Sequence, residues 1–132
     1  MKFMLMMSTP FDTGDYQIFK WTPEAFNAHI QFMNDLNRDL QKAGEFVEVQ
    51  GLTPPGQAKI VRSGKSGGPV VSDGPFAETK EFLAGFWIVD VEKRERAYEI
   101  AARASSAPGP DGKPLAMSIE VREVMSSCAD AH

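Results

Sequence analysis

The sequence is poor in cysteine: Cys128 is the only one among 132 residues. A single thiol excludes an internal disulfide and a cysteine-based zinc site. Its setting, Ser126-Ser127-Cys128-Ala129-Asp130, is a small-residue tail in which a catalytic nucleophile is not expected. No stretch approaches the roughly 18 to 20 apolar residues of a membrane span. The apolar start, Met1 to Met7, lacks the length of a secretory core and the small-residue cleavage site behind it, so a cytoplasmic location is expected. Lys and Arg form no cluster, and the formal net charge is -4, which leaves no electrostatic footprint for nucleic acid. Metal-ligand spacing, a phosphate-cradling glycine loop and a Ser-His-Asp pattern are all missing, so no metal or cofactor is expected. Gly64-Lys65-Ser66-Gly67-Gly68 has glycines and a lysine, but not the spacing or the following helix of a phosphate loop. It reads as a hairpin turn.

Apolar residues make up 42% of the chain and charged residues 24%, the balance of a globular core. The length fits one domain, residues 1–125, with a flexible tail over 126–132. Residues 2–8 are short and apolar and read as a buried strand. Residues 9–20 read as a polar loop whose Phe11, Tyr16 and Phe19 fold back over the body. Thr22 is a good N-cap and Pro23 suits the first helical position. Phe26, Ile30, Met33, Leu36 and Leu40 then recur at helical spacing until Gly44, so a helix is expected over 23–43. Strands follow at 45–49, 58–62 and 69–72, the last two as a hairpin. Residues 82–91 form the strongest strand pattern, residues 93–104 a second helix with a small-residue face, and residues 118–124 a closing strand with one wet face. Two helices on one face of an antiparallel sheet make a two-layer α+β sandwich. Apolar residues on both faces of the first and fourth main strands imply that the free sheet face is covered by a second copy, giving a two-fold homodimer.

Few residues are suited to chemistry. His29 is the only histidine besides His132 and falls within the apolar arc of the first helix. It is read either as a general acid or base, or as a buried imidazole bonded to a backbone carbonyl. Asp73 stands where a strand gives way to a turn. Its carboxylate is either a base or orienter, or a turn-former accepting nearby N–H bonds. Gly74 is expected to supply a backbone shape that a side chain would forbid, Pro75 to fix its own dihedral, and Phe76 to anchor the turn in the core. Glu78 and Lys80 follow in a charged run that is either a solvated face or, if the turn lines a cleft, a substrate contact. Trp87 reads as core or dimer interface. Met4, Met6 and Met7 read as adaptable packing.

The segment Asp73-Gly74-Pro75-Phe76-Ala77-Glu78-Thr79-Lys80-Glu81 resembles the signature of the DGPF group of the YCII-related family. Met1 to Leu5, His29 with Phe32-Met33, Gly85 to Asp90, and Ile119 to Arg122 resemble its first strand, first helix and last core strands. The resemblance implies a ferredoxin-like fold assembled as a dimeric α+β barrel. It implies no settled activity. Members are often encoded beside extracytoplasmic-function sigma factors, which suggests a regulatory or stress setting. Related proteins place a helix-borne His beside an Asp, and some are lyase-like enzymes acting on small cyclic substrates. His29 matches that His. The family's Asp usually follows the second strand, where this chain has Gly51-Leu52-Thr53 and no carboxylate. The expectation is therefore that His29 and Asp73 share one cleft and act as a base–orienter pair, in lyase or isomerase chemistry, on a small polar or cyclic metabolite. The alternative is a non-catalytic sensing module linked to a sigma factor.

Overall fold

The computed structural model describes residues 1–10 and 18–126; Phe11, Tyr16, the side chain of Phe19, and Cys128 lie outside them. The main sheet has four antiparallel strands. These are β1 (Lys2–Pro10), β2 (Phe46–Gly51), β5 (Glu81–Asp90) and β6 (Ile119–Glu123), in spatial order β2-β5-β1-β6. Helix α1 (Pro23–Lys42) joins β1 to β2, and α2 (Arg94–Ser105) joins β5 to β6. This order and connectivity are those of a ferredoxin-like sandwich. Between β2 and β5 the chain inserts a two-stranded hairpin, β3 (Lys59–Ser63) with β4 (Pro69–Asp73), which forms its own sheet.

The expected elements form within a few residues of their expected limits. Thr22 caps α1 by accepting a bond from the Ala25 N–H at 3.2 Å. Gly44, at φ +73°, ends it in the left-handed conformation that favours glycine. Leu36 and Leu40 of α1, and Ala97, Ile100, Ala101 and Ala104 of α2, are buried against the sheet. The small side chains of α2 let its backbone approach closely.

Side chains alternate along the strands except at irregularities between Met7 and Ser8 and between Phe46 and Glu48, and each cross-strand row lies on one face. Toward the helices the rows read Phe3–Val89–Phe46, Leu5–Trp87–Val49 and Met7–Gly85–Gly51. Leu5 and Val89 are fully buried. On the opposite face the rows read Arg122–Met4–Ile88–Glu48 and Glu120–Met6–Phe86–Gln50. That face has a half-buried apolar centre of Met4, Met6, Phe86 and Ile88 between polar edges.

The hairpin is a contrast. Val61, Val70 and Val71 are all more than half exposed. Phe76, expected in the core, is 64% exposed, because the turn that bears it belongs to the insertion and lies off the main sheet. The expected special backbone at Gly74 also differs. Its φ lies outside the left-handed region that Gly44, Gly67 and Gly112 occupy. Its small size is used instead: a Cβ there would stand 3.2 Å from the Ala58 carbonyl oxygen, which accepts the Gly74 N–H at 2.9 Å. Asp73 and Pro75 flank this contact, and the Gly74–Pro75 peptide is cis.

Candidate functional site

The row Met7–Gly85–Gly51 opens a cleft on the helix side of the sheet. The two rows beside it present Trp87 and Val49, or Val89 and Phe46, to the helices. Here two glycines face each other across the β2–β5 ladder and present no side chain. The missing volume is a cleft of about 260 Å³ between the sheet and α1. A Cβ on Gly51 would meet nothing within 4 Å, so this position faces empty space. Gly85 is different, because a Cβ there would stand 2.8 Å from the Gln50 carbonyl oxygen of the neighbouring strand.

Three α1 residues at four-residue spacing, His29, Met33 and Asn37, form one ridge along this cleft. His29 is 3% exposed. Its Nδ1 lies 3.0 Å from the Pro108 carbonyl oxygen. A carbonyl only accepts, so Nδ1 carries the proton and donates. In its neutral form the ring thus keeps its lone pair on Nε2. Nε2 has no protein partner among the described residues. Trp21 meets the imidazole edge-on, with centroids 5.3 Å apart and planes at 88°. The backbone bond of the bland reading thus exists, and it is what fixes the tautomer and leaves the other nitrogen free.

Asn37 sits two turns further along. Its Oδ1 accepts from the Trp87 indole N–H at 3.0 Å. The other side chains on the helix side of this lining are apolar: Met7, Ile18, Ile30 and Val49. Among the described residues, no Asp, Glu, Lys or Arg lines the cleft.

The other expected site residues lie elsewhere in the chain. Asp73 ends β4, where its carboxylate is strongly exposed and pairs with Lys59 across the hairpin. It does not line the His29 cleft. Glu78 and Lys80 are exposed on the segment between β4 and β5, and neither lines that cleft. Asn37 was missed in the sequence. The available signal was its place eight residues after His29, on the same helical ridge.

At the opposite end of the sheet a wider groove, about 660 Å³, is lined by Gly44, Glu45, Asp90, Glu92, Arg96 and Glu99 among others. Its central charges are already paired. The Arg96 guanidinium reaches both Glu45 oxygens, at 2.8 and 2.9 Å, and this bonding holds Arg96 above its ordinary pKa. On the helix surface nearby, the Arg103–Asp39 pair at 2.7 Å ties α2 to α1. A hydrogen bond from Arg103 holds the Asp39 carboxyl below the usual carboxylate range.

Among the described residues, no group of three or more His, Cys, Asp or Glu side chains could hold a metal ion. No helix among them is long and apolar enough to cross a membrane.

The profile of the YCII-related domain matches residues 1–109, most of the chain. A protein of Rhizobium meliloti (strain 1021), described only as uncharacterised, is 33% identical over 101 residues. That match covers 74% of this chain and 81% of the relative. The chain belongs to the YCII-related family. Strand β6 lies beyond the matched residues, yet it completes the sheet by pairing with β1 from Phe3↔Glu123 to Met7↔Ile119.

Proposed function

We propose that this protein is a two-fold dimeric domain of the DGPF group that binds a small metabolite in the cleft beside His29. One observation carries the reading. A nearly buried imidazole, held in one tautomer by the Pro108 carbonyl, presents Nε2 in a mainly apolar cleft. A concave apolar site with a few convergent polar groups is the usual form of a small-molecule pocket.

Binding without catalysis is favoured over His/Asp proton transfer. In a single chain the Asp73 carboxylate pairs with Lys59, and no carboxylate among the described residues lines the cleft to orient the imidazole. Lyase or isomerase chemistry would need Asp73 of a second copy to reach His29, with Glu78 and Lys80 arriving on the same segment. A sensing module in a sigma-factor setting needs only the binding step.

The dimer reading rests on the free sheet face, where Met4, Met6, Phe86 and Ile88 form an apolar stripe between polar edges. Face-to-face pairing would bury more than roughly 1,000 Å² in total. Met4→Lys places a charge in that stripe. The wild type should sediment as a dimer at micromolar concentration and the variant as a monomer. A monomeric wild type would contradict the pairing.

The binding reading is tested by a thermal-shift screen of small metabolites, since a ligand that binds only the folded state must raise its apparent stability. Hits should raise the melting temperature of the wild type and have little effect on His29→Gln. Hits that act equally on both proteins would place binding elsewhere.

A further inference from the structure

The hairpin β3–β4 is a ribbon with little of its surface covered. Every strand residue in it except Ile60 is exposed. Val61 and Val71 face each other on one side, and Val70 stands opposite Arg62 on the other. Both sides therefore show apolar side chains to solvent. Neither strand packs extensively on another described element. A two-stranded ribbon is marginal in water unless a further strand or layer covers it, and apolar surface left open marks a contact surface.

Charge identifies what covers it. The hairpin carries Lys59, Arg62 and Lys65 against Asp73, a net of +2 in a chain of net -4. Lys59 and Asp73 pair with each other, and Arg62 and Lys65 have no ion pair among the described residues. The opposite end of the main sheet has the other sign. Its groove gathers Glu45, Asp90, Glu92, Glu95 and Glu99 against Lys93, Arg96 and the Met1 amine. Arg96 takes Glu45 and Glu99, and the amine takes Asp90. Glu92 and Glu95 are exposed and have no ion pair among the described residues.

We infer that the hairpin is a docking arm for a second copy of this chain. Val61, Val70 and Val71 supply its apolar contact, and Arg62 and Lys65 meet Glu92 and Glu95 of the partner subunit. In a face-to-face pair the two-fold axis lies between the sheets. Set along the strands, that axis would bring hairpin end to hairpin end, like charge to like. Set across the strands, it brings each hairpin end to the partner's acidic end, so charge fixes the orientation of the pair. This rests on the sheet-face dimer and adds a second contact to it.

The full chain is tested by sedimentation over a range of concentrations. Arg62→Glu with Lys65→Glu should weaken dimerisation at least about tenfold, because the contacts in both halves of the dimer turn from attraction to repulsion. Glu92→Lys with Glu95→Lys should do the same. All four changes together restore opposite charges, and the dimer should return to within about threefold of the wild type. All four positions are exposed, so the core is untouched. Dimerisation unaffected by either reversal, or two weakened variants that do not rescue each other, would overturn the docking. Isotope-filtered NMR of the unmodified protein, mixed from labelled and unlabelled copies, separates this result from the sheet-face reading. Contacts from the Val61, Val70 and Val71 methyls to the other copy are expected beside those from Met4 and Met6. Methionine contacts without valine contacts would remove the arm and leave the dimer standing. A wild type that stays monomeric would remove both.

Discussion

The two ends of the β2–β5 ladder are built from the same strands and covered by the same helix, yet they are finished in opposite ways. At the Phe46–Val89 end the helix face is filled by large apolar side chains, and the groove of about 660 Å³ beyond it has its central charges paired in the Arg96–Glu45 bonds. At the Gly51–Gly85 end the same face has no side chains, and a cleft takes their place. Packing density decides stability at the first end. At the second, space and uncommitted hydrogen-bonding groups are retained, an arrangement suited to a ligand rather than to the core.

The sharpest way to break this contrast is to truncate α1 at each end. Leu40 is 1% exposed near the filled end. Leu40→Ala should cost about 3 kcal/mol by urea denaturation, through lost transfer energy and a new cavity. Met33→Ala, beside the existing cleft, should cost no more than about 1.5 kcal/mol, because its side chain is only partly buried and no closed void is created. Equal losses would mean that the two ends are packed alike.

A smaller effect is expected from the ion pair that lines the groove beside the filled end. Arg96→Ala should lower stability by about 1 kcal/mol, since its guanidinium is 43% exposed and partly screened by water. A loss many times larger would make Glu45–Arg96, rather than apolar packing, the main support of that end.

The smallest effect should appear in acid. The folded Asp39 carboxyl sits below its ordinary value because Arg103 bonds to its charged form. Its contribution is therefore present above the unfolded carboxylate pKa of about 3.9 and disappears as the pH falls through the lower folded value. Asp39→Asn should slightly flatten the fall of stability in that acid window and leave its slope near neutrality unchanged. An altered slope near neutrality would assign the effect to another group.

How far the sequence discloses the two ends follows from what local pattern encodes. The filled end was legible. Leu36 and Leu40 repeat at helical spacing, Gly44 marks the stop, and Phe86 to Val91 announces a central strand. The open end was not, because the cleft depends on register. Gly51 and Gly85 are unremarkable until pairing sets them opposite each other, and a strand pattern does not state its partner. Asn37 was hidden for a related reason: a polar helical residue suggests a solvated face, and only the Trp87 indole shows otherwise. Phe76 was misplaced because an aromatic next to a turn suggests a buried anchor. The hairpin's separation from the main sheet left it exposed. His29 was legible as a buried imidazole bonded to a backbone carbonyl, which Pro108 supplies.

The central claim, that the glycine-floored cleft is a ligand site, is tested most directly by filling it. Gly51→Leu projects a side chain into the empty space and should leave folding stability unchanged or raised by about 0.5 kcal/mol, since glycine within a strand is unfavourable. A library of small uncharged fragments, followed by amide NMR, is then titrated into both proteins. The account predicts that fragments shift Gly85 and the α1 ridge in the wild type and no longer do so in Gly51→Leu. Fragments that bind both proteins alike, or that gather elsewhere on the surface, would contradict it.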